Sequence, residues 1–522
     1  MQLKDKNLCM KKIIEIVTSP EIASTEESLQ EYVSKNFGFS QEEIKGIQII
    51  KKSLDARRKP IKVNLQVAVF LNQNPDENVF ELNLQNVSNA KEIGIVGAGP
   101  AGLFAAIKLI ELGLKPIIFE RGKPVKERRR DLANITKHNT VNPDSNYCFG
   151  EGGAGTYSDG KLYTRSSKRG DVKRILEILV KYGAHQAILY EAHPHIGTNK
   201  LPAIIEAIRE QIIACGGVFH FNARVDDLKI ENNEIKGIFV QNTFFHFDKL
   251  ILATGHSARD IYELLQRKQI LLEAKPFALG VRVEHPQALI DQIQYKCGTD
   301  RGIYLPAASY SLVQQVNNRG VFSFCMCPGG IIAPAMTAPG EIVVNGWSPS
   351  KRNNPYANSG MVVSVQPEDY AQYAKKGALA GLAFQSQVEK DCFDKGNQSL
   401  QAPAQKLTDF VTKRSSSNLP KNSYLPGTIS RNLHEILPPF IANALKEAFV
   451  LFGKKMHGYL SEEAILLATE SRTSSPVRIP RNKDTFEHPQ IKGLFPCAEG
   501  AGYAGGIVSA AMDGENCASA CK

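Results

Sequence analysis

The chain has 522 residues, of which 43% are hydrophobic and 22% are charged, and its formal net charge is +10. This length exceeds the roughly 250–300 residues at which a single hydrophobic core stops growing, so two or three domains are predicted. The composition excludes a disordered chain and is typical of a globular protein. The mild positive charge suits an anionic ligand or a loose nucleic-acid contact without requiring either.

Export and membrane anchoring are not indicated by the sequence. No apolar run reaches the roughly 18–20 residues that span a bilayer. The first residues lack the apolar core and the small-residue cleavage site of a secretory signal. The ten cysteines are scattered without the spacing of a disulfide framework. We therefore expect a cytoplasmic protein with reduced thiols and no membrane partner.

The first 88 residues are predicted to form a small α+β domain. The segment EESLQEYVSKNFG has the apolar spacing of a helix, and IQIIKKSLDARRKPIKVNLQVAVFL is typical of two strands around a basic turn. Six basic residues lie in KKSLDARRKPIK, residues 51–62, and six lie in RGKPVKERRRDL, residues 121–132. Such stretches can contact nucleic acid, but Lys and Arg usually solvate a surface, which is the preferred interpretation.

From residue 92 the pattern changes to strand, glycine-rich turn, apolar helix and second strand, in EIGIVGAGPAGLFAAIKLIELGLKPIIFERG. Gly97, Gly99 and Gly102 form the GxGxxG of a dinucleotide-binding turn, where they permit a tight turn, a bound pyrophosphate and close helix packing. The helix from Pro100 would direct its N–H groups at the phosphate. Glu120 ends the second strand, where a ribose-binding carboxylate is expected. A structural glycine turn and a solvated strand end are the alternatives.

Three further stretches favour FAD over a nicotinamide dinucleotide. An Ala-Thr-Gly turn at residues 253–255 ends a buried strand in KLILATGHSARD. In GLFPCAEGAGYAGGIVSAAMDG, residues 493–514, a helix starting near the Gly-Gly pair would direct N–H groups at an electron-rich flavin edge. The glycines of FGEGGAGTYSDGKL, residues 149–162, would let the backbone approach the isoalloxazine ring. An enzyme that binds only NAD needs none of these distal elements.

Together these stretches resemble the two-dinucleotide-binding-domain flavoproteins of the glutathione reductase 2 type, and among them the bacterial family of uncharacterised FAD-dependent dehydrogenases. The resemblance covers nearly the whole chain and rests on KKSLDARRKPI, VGAGPAGL, FGEGGAGTYSDGKL, LATGHSARD, FSFCMCPGG, ESRTSSPVRIPR and GLFPCAEGAGYAGGI. It implies FAD as the cofactor. The motifs and the resemblance together predict these cofactor-binding residues: Gly97, Gly99, Pro100, Ala101, Gly102, Glu120, Arg121, Gly152, Gly153, Val225, Ala253, Thr254, Gly255, Glu499, Gly500, Gly505, Gly506 and Ile507.

Two of these positions carry specific expectations from the resemblance. Related flavoproteins usually have Asp where this chain has Glu499, so the resemblance leaves the ribitol contact open there. Val225 takes the position whose backbone often meets the adenine.

Cys325 and Cys327 lie in FCMCPGG, residues 324–330, and allow three interpretations. The preferred one is a pair of buried thiols packing under a glycine turn, the second is a thiolate acting on substrate, and the third is a disulfide. On a strand, side chains two residues apart are separated by about 6–7 Å, more than the roughly 3.5–4.5 Å between Cβ atoms of a disulfide. Two cysteines without a nearby His pair do not complete a metal site, so no metal is expected.

Other polar residues are weighed against structural roles. Arg472 and Arg478 could clamp a carboxylate or phosphate, or form interdomain salt bridges. Arg282 could enter a substrate cavity, although exposure on the open sheet face is preferred. Tyr503 could protonate a substrate carbonyl or only stack on the flavin. His256 could donate a hydrogen bond to flavin or substrate, but a structural histidine is preferred.

Glu151 is flanked by glycines and could hydrogen-bond the flavin or act as a base, with a solvated turn equally favoured. The catalytic candidates are therefore Cys325, Cys327, Tyr503 and Arg472.

The predicted fold is α/β, with a discontinuous Rossmann-like FAD-binding domain at residues 89–260 and 485–522. A mixed-sheet substrate domain is inserted at 261–484, and the small α+β domain occupies 1–88. We expect an FAD-binding oxidoreductase that transfers a hydride between a small organic substrate and flavin N5. The other GxGxxG spacings, at residues 150–155 and 500–505, lie in the loops already assigned to FAD. No dedicated NAD(P)H domain is therefore evident, and NAD(P)H is expected only as a transient reductant. The alternatives are a flavin-dependent RNA-modifying enzyme and a non-catalytic FAD-binding protein.

Overall fold

A computed structural model describes residues 10–75, 80–164 and 167–522. Residues 1–9 and 76–79 of the predicted N-terminal domain lie outside this range. Strands and helices are numbered below in chain order. Among the described residues, short 3-10 helices also occur at Ile22–Ser24, Gly153–Gly155, Ser167–Arg169, Gln186–Leu189, Pro367–Leu379 and Leu433–Glu435.

The N-terminal unit is a three-stranded antiparallel sheet covered by one helix. In spatial order its strands are Met10–Thr18 (β1), Lys62–Leu71 (β3) and Ile44–Asp55 (β2), and the helix is Glu26–Phe37 (α1). Thr25 caps α1 by accepting a hydrogen bond from the Ser28 N–H, as a favourable N-cap residue does. The helix and the two later strands agree with the sequence-based prediction, whereas β1 was not predicted.

The two basic stretches differ in exposure. In the turn between β2 and β3, Arg57, Arg58 and Lys59 are exposed, and Arg57 pairs with Asp55. In the second stretch Arg128 is fully buried, so the interpretation of 121–132 as a solvated surface is wrong at this residue.

The central sheet is parallel and is assembled from distant parts of the chain. In spatial order its strands are Leu494–Pro496 (β22), Leu250–Leu252 (β10), Glu92–Val96 (β4), Lys115–Phe119 (β5) and Val218–His220 (β6). The interior strand β4 buries Ile93 and Ile95 completely, because helices and loops cover both faces of a parallel sheet. The fold is therefore α/β, as predicted.

Six helices lie between or directly after the strands of the central sheet in the chain. They are Pro100–Glu111 (α2), Val125–His138 (α3), Val172–Lys181 (α4), Leu201–Ala214 (α5), Arg259–Arg267 (α6) and Ile507–Ala520 (α11). The α2 and α11 helices lie so close that a Cβ atom on Gly514 would collide with the Ala101 carbonyl group. Between β6 and β10 the chain forms an antiparallel meander of Val225–Glu231 (β7), Glu234–Val240 (β8) and Thr243–His246 (β9).

The second large unit is a seven-stranded mixed sheet. In spatial order its strands are Val313–Val316 (β13), Arg319–Cys327 (β14), Tyr356–Val365 (β17), Phe277–Pro286 (β12), Ile465–Glu470 (β20), Ala402–Lys406 (β18) and Thr428–Ser430 (β19). Only β18 and β19 run parallel; the other neighbours are antiparallel. This sheet confirms the predicted mixed-sheet component of the fold, while the domain limits at 88, 260 and 484 stay predictions.

Smaller elements complete this unit. Two short antiparallel pairs are formed by Glu273–Ala274 (β11) with Val477–Arg478 (β21), and by Ile331–Pro334 (β15) with Val344–Trp347 (β16). Its helices are Gln287–Tyr295 (α7), Ala380–Lys395 (α8), Leu407–Thr412 (α9) and Pro439–Lys455 (α10). Over residues 10–75, 80–164 and 167–522, no helix has the length and apolar character needed to cross a bilayer.

Candidate cofactor and active site

A cavity of about 410 Å³ lies where β4, β5 and β10 end and where α2 and α11 begin. In an open parallel sheet, ligands bind outside the carboxyl ends of the strands. All predicted cofactor-binding residues line this cavity except Gly102, Gly152 and Gly500. The catalytic candidates Cys325 and Arg472 also line it, whereas Cys327 and Tyr503 do not.

The turn between β4 and α2 has the geometry that its glycines suggested. Gly97 has a φ of +104°, and a Cβ atom there would collide with the Ala253 carbonyl oxygen. A Cβ atom on Gly102 would collide with the Gly97 carbonyl oxygen, so Gly102 serves packing rather than ligand contact. Gly99 differs, because its φ is −74° and the nearest atom to a Cβ there is the Gly153 Cα at 3.9 Å. Gly99 therefore faces open cavity space at the N-terminus of α2.

Glu120 joins three turns at the edge of the cavity. Its carboxylate accepts hydrogen bonds from the N–H groups of Ala98 at 2.9 Å, Gly122 at 2.9 Å and Gly150 at 3.0 Å. Its position at the end of β5, on the cavity wall, fits the predicted ribose-binding carboxylate. Glu120 thus ties the GxGxxG turn to the glycine-rich loop at 149–155.

A buried arginine that the sequence-based prediction missed organises this loop. Arg128 is 0% exposed, and its guanidinium donates hydrogen bonds to the carbonyl oxygens of Asn146, Tyr147, Glu151 and Gly153 at 2.8–3.0 Å. The five N–H donors of one guanidinium can satisfy several buried loop carbonyl groups at once. The sequence-based prediction missed Arg128 because it is one of six basic residues in RGKPVKERRRDL, and nothing in that stretch distinguishes a buried arginine from exposed ones.

Two predicted site residues bind neighbouring loop residues. Glu151 is 0% exposed and accepts hydrogen bonds from the Val125 N–H and from Arg209, both at 2.8 Å, so the solvated-turn alternative is wrong. Arg121 lines the cavity while its guanidinium binds Asp144 and lies over the Phe149 ring.

Tyr503 and Arg478 lie beside the cavity wall rather than on it. The Tyr503 hydroxyl accepts a hydrogen bond from the Arg481 N–H at 3.1 Å, and the Arg481 guanidinium lies 4.0 Å from the ring centroid. Arg478 is partly exposed and lies 3.7 Å from Glu273. These contacts favour structural roles for both side chains.

Arg472 belongs to a buried ion-pair network. Its guanidinium lies 2.7 Å from Glu341 and 3.1 Å from Glu389, and Arg259 lies 2.7 Å from the same Glu389. Because both carboxylates already neutralise Arg472, the interdomain salt-bridge interpretation fits better than a substrate clamp. The network links the end of β20 to α8 and to α6, beside the cavity.

Cys325 and Cys327 meet Lys161 at one end of the cavity. The Lys161 Nζ lies 3.8 Å from the Cys325 Sγ, 3.6 Å from the Cys327 Sγ and 2.8 Å from Asp159. Cys325 and Lys161 line the cavity, whereas Cys327 is 0% exposed. Lys161 was not among the predicted site residues, although it is the penultimate residue of the FGEGGAGTYSDGKL motif.

Arg282 lies directly behind the two cysteines. It is 0% exposed, so the expected exposure on an open sheet face is wrong. Its guanidinium pairs with Glu470 at 2.8 Å and donates to the Cys325 carbonyl at 2.8 Å, with the Cys327 Sγ at 3.5 Å. A buried arginine needs such an anionic partner.

Three side chains of metal-ligand type come together elsewhere, namely Cys497, Asp513 and Cys517. Arg481 already binds this group: its guanidinium contacts both Asp513 carboxylate oxygens, at 2.6 and 2.9 Å, and lies 3.4 Å from the Cys517 Sγ. The cluster therefore has its positive partner within the chain.

Glu499 and His256 face each other across the cavity wall, with the His256 Nε2 3.5 Å from the Glu499 carboxylate. Burial raises the pKa of Glu499 to about 7. Burial and the charges of Arg472 and Arg259 lower the pKa of His256 to about 3. The His256 Nδ1 is buried and has no hydrogen-bond partner among the described residues, which leaves it open to a ligand.

The Glu499 shift predicts a pH dependence of the cofactor-free protein. Because the carboxyl group holds its proton more tightly in the folded chain, stability falls as pH rises from about 4.5 through about 7. In Glu499→Gln, the decrease in the free energy of unfolding over this pH range should be smaller by about 1–3 kcal/mol. Thermal midpoints of both proteins, measured between roughly pH 5 and pH 8, should diverge in favour of the variant. Parallel curves would show that Glu499 titrates normally.

The strand order and the glycine-rich cavity define a dinucleotide-binding α/β protein. Residues 276–473 match the family described as FAD-dependent protein, C-terminal domain-like, and residues 10–70 match a domain of unknown function, DUF8436. A Clostridium beijerinckii protein, described as an uncharacterized protein, is 41% identical over 508 residues, covering 93% of this chain and 94% of that one. The chain belongs to the same family as this protein.

Solved structures show more distant similarity. CtdE in complex with FAD is 12% identical with a TM-score of 0.30, covering 82% of this chain and 84% of that chain. An oxidoreductase from Methanosarcina mazei is 12% identical with a TM-score of 0.32, covering 81% and 99%. Glycine oxidase from Bacillus cereus is 14% identical with a TM-score of 0.29, covering 82% and 94%.

Proposed function

We propose that this protein binds FAD in the cavity and is an oxidoreductase that transfers a hydride between a small organic substrate and flavin N5. One observation carries the proposal: three backbone segments from distant parts of the chain, at 97–101, 253–255 and 505–507, line one cavity. Bound FAD would supply a ring that takes up or releases two electrons. The family description, FAD-dependent protein, supports the same cofactor.

The residues around the cavity fit this cofactor. Apart from its chain neighbours, no described residue has an atom within 4 Å of a Cβ placed on Gly505 or Gly255, so these backbone positions are open to a ligand. The α2 and α11 helices begin at the cavity, where their free N–H groups and positive dipole ends favour a pyrophosphate and an electron-rich ring edge. Glu120 supplies a carboxylate for a ribose, and the unpartnered His256 Nδ1 supplies a further polar contact.

The substrate is expected at the end of the cavity lined by Phe324, Cys325, Asn345 and Lys161. This end combines an aromatic face, an amide, a thiol and an ammonium group, which suits a small polar organic molecule. NAD(P)H is proposed as a transient reductant that binds in the same cavity. In this scheme the chain orients the substrate and excludes water, while the redox chemistry belongs to the cofactor.

Spectroscopy of the purified protein tests the proposal. We expect a flavin absorption band in the visible range, and release of FAD, identified by chromatography, after denaturation. Stopped-flow mixing with NADH, NADPH and a metabolite panel under anaerobic conditions should bleach the band. A colourless protein that takes up no added FAD would contradict cofactor binding, and a yellow protein that no donor reduces would favour the non-catalytic alternative.

A flavin-dependent RNA-modifying enzyme is the second candidate, supported by the exposed cations of the turn between β2 and β3. Arg58 and Lys59 are exposed there, and no carboxylate of the described residues pairs with either. Salt-sensitive binding of tRNA that is weakened by Arg58→Ser and Lys59→Ser would favour this role. Lys173→Ser, which removes an exposed cation on α4, is the control. If this variant binds tRNA as tightly as the wild type, the loss in the Arg58 and Lys59 variants belongs to the turn between β2 and β3. No RNA retention at low salt would exclude it.

A further inference from the structure

The cysteine pair stands apart from the elements that would hold a dinucleotide. Cys325 lies on the cavity wall, and Cys327 lies immediately behind it, fully buried. Two sulfur atoms in this arrangement form an outer and an inner member of one pair. The pair is either a packed part of the core or a reactive dithiol.

The backbone that carries the two cysteines departs from a regular strand. Cys325 has a φ of +46°, a left-handed conformation that residues other than glycine seldom adopt. The pairing of β14 with β17 breaks its register between Phe324 and Cys327. In place of an extended i, i+2 pair, both sulfurs therefore approach a single ammonium group, Lys161. Such local strain is typical of functional sites.

The charges around the pair separate its members chemically. Two cations, Lys161 and Arg282, lie next to the cysteine pair, and each has an acidic partner. Asp159 pairs with Lys161 and also with Arg352, and Glu470 pairs with Arg282. A hydrogen bond from Cys327 and the positive charges of Lys161 and Arg282 lower the pKa of Cys325 well below that of an ordinary thiol. Burial and the same hydrogen bond raise the pKa of Cys327.

Simple packing and metal binding explain this arrangement less well. Two thiols packed in a core need no ammonium group between them, whereas a thiolate does. The Lys161 ammonium occupies the position beside both sulfurs that a cation would take. Within the described part of the chain, the group of side chains close enough to share a metal ion is Cys497, Asp513 and Cys517. It includes neither Cys325 nor Cys327.

We propose that Cys325 and Cys327 form a dithiol–disulfide couple that exchanges an electron pair with the flavin, an inference that rests on the proposed FAD binding. In the oxidative direction the Cys325 thiolate and the Cys327 thiol form one S–S bond. They lose two electrons and the Cys327 proton, which oxidised FAD, when bound, would take up. Cys325 is the sulfur open to the cavity, and Lys161 is a positioning residue that holds its negative charge.

Peptide mass spectrometry tests the couple directly. Trypsin releases both cysteines in one peptide, residues 320–351, because no Lys or Arg lies between Arg319 and Lys351. Full-length protein is reduced, or oxidised with diamide, and alkylated under native and then denaturing conditions. We expect two alkyl groups after reduction and a loss of two hydrogen atoms after oxidation. If the peptide carries two alkyl groups after diamide oxidation as well as after reduction, the proposal is overturned.

Matched variants show whether the bond is specific. Cys325→Ser and Cys327→Ser should each abolish the intramolecular bond, whereas Cys392→Ala, at a buried cysteine on α8, should leave it intact. Lys161→Met should slow native alkylation of Cys325 at neutral pH about tenfold and shift the pH profile of the alkylation rate to higher pH. Lys161→Arg should restore both the rate and the profile. An unchanged profile in Lys161→Met would contradict the role of Lys161.

Anaerobic dithionite titration links the couple to the flavin. Oxidised wild-type protein should consume about two equivalents per FAD, because a disulfide and a flavin each take up two electrons, and Cys327→Ser should consume about one. One equivalent for both yellow proteins would overturn the couple while FAD binding stands. A colourless protein that takes up no FAD would overturn the proposed function, and the peptide result would then report a disulfide unconnected to flavin.

Discussion

Gly99→Val is expected to abolish FAD binding while leaving the fold intact. The φ of −74° at Gly99 is accessible to any residue, and the nearest atom to a Cβ there is 3.9 Å away, so the side chain meets no protein atom closely. The added methyl groups instead occupy the space in front of the α2 N-terminus, where a pyrophosphate must approach the backbone. We expect affinity to fall roughly 100-fold or more, because the blocked N–H groups lose their charged partner.

The measurement is FAD content after purification, followed by titration of the apoprotein with FAD. Gly298→Val is the matched control, since a Cβ there likewise has no close contact with the described residues and the residue does not line the cavity. Circular dichroism and the thermal midpoint without cofactor should match the wild type for both variants. Normal FAD content in Gly99→Val would place the phosphate site elsewhere.

Local sequence patterns predicted the part of the site that is made of backbone. The GxGxxG turn, the strand-ending acid at Glu120 and the glycine-rich loops each carry their geometry within a few residues. The sequence therefore predicts that these segments meet at one cavity, while their contacts with a cofactor stay predictions. The antiparallel β1 strand was missed because it pairs with β3, more than 40 residues later, and its sequence MKKIIEIVT alone is equally compatible with other structures.

The side-chain chemistry was less accessible from the sequence, because it depends on partners far apart in the chain. Lys161 meets Cys325 across 164 residues, and Arg282 meets Glu470 across 188 residues. Neither pairing leaves a periodic signal. The disulfide was the least favoured interpretation because a regular strand separates the two cysteines, and the positive φ of Cys325 removes that premise. The positive φ was not visible in FCMCPGG, which has its glycines after the pair.

The Arg282–Glu470 ion pair is the support on which the cysteine site depends. Both side chains are almost completely buried, and the guanidinium also binds Asn358 at 2.7 Å and the Cys325 carbonyl at 2.8 Å. Taking a charge out of water costs several kcal/mol, which only a close partner and further hydrogen bonds offset. Removing one partner leaves an uncompensated charge in the middle of the mixed sheet.

Glu470→Leu is therefore expected to destabilise the mixed-sheet unit by about 3–5 kcal/mol. Urea unfolding can be followed by the fluorescence of Trp347, the single tryptophan, which follows Gly346 on β16. A Cβ atom on Gly346 would collide with the Arg282 guanidinium, so β16 passes close to this pair. Glu177→Gln, which breaks the exposed pair with Lys173 on α4, is the matched control and should cost less than about 1 kcal/mol.

A double-mutant cycle separates the buried charge from ordinary packing loss. Arg282→Met combined with Glu470→Leu removes both charges, so the double variant should be more stable than Glu470→Leu alone, although the Asn358 and Cys325 acceptors stay unpaired. Additive losses would mean that Arg282 and Glu470 do not stabilise each other. In that case the positive charge behind Cys327 would be held by its other hydrogen bonds, and Glu470→Leu would leave the alkylation rate of Cys325 unchanged.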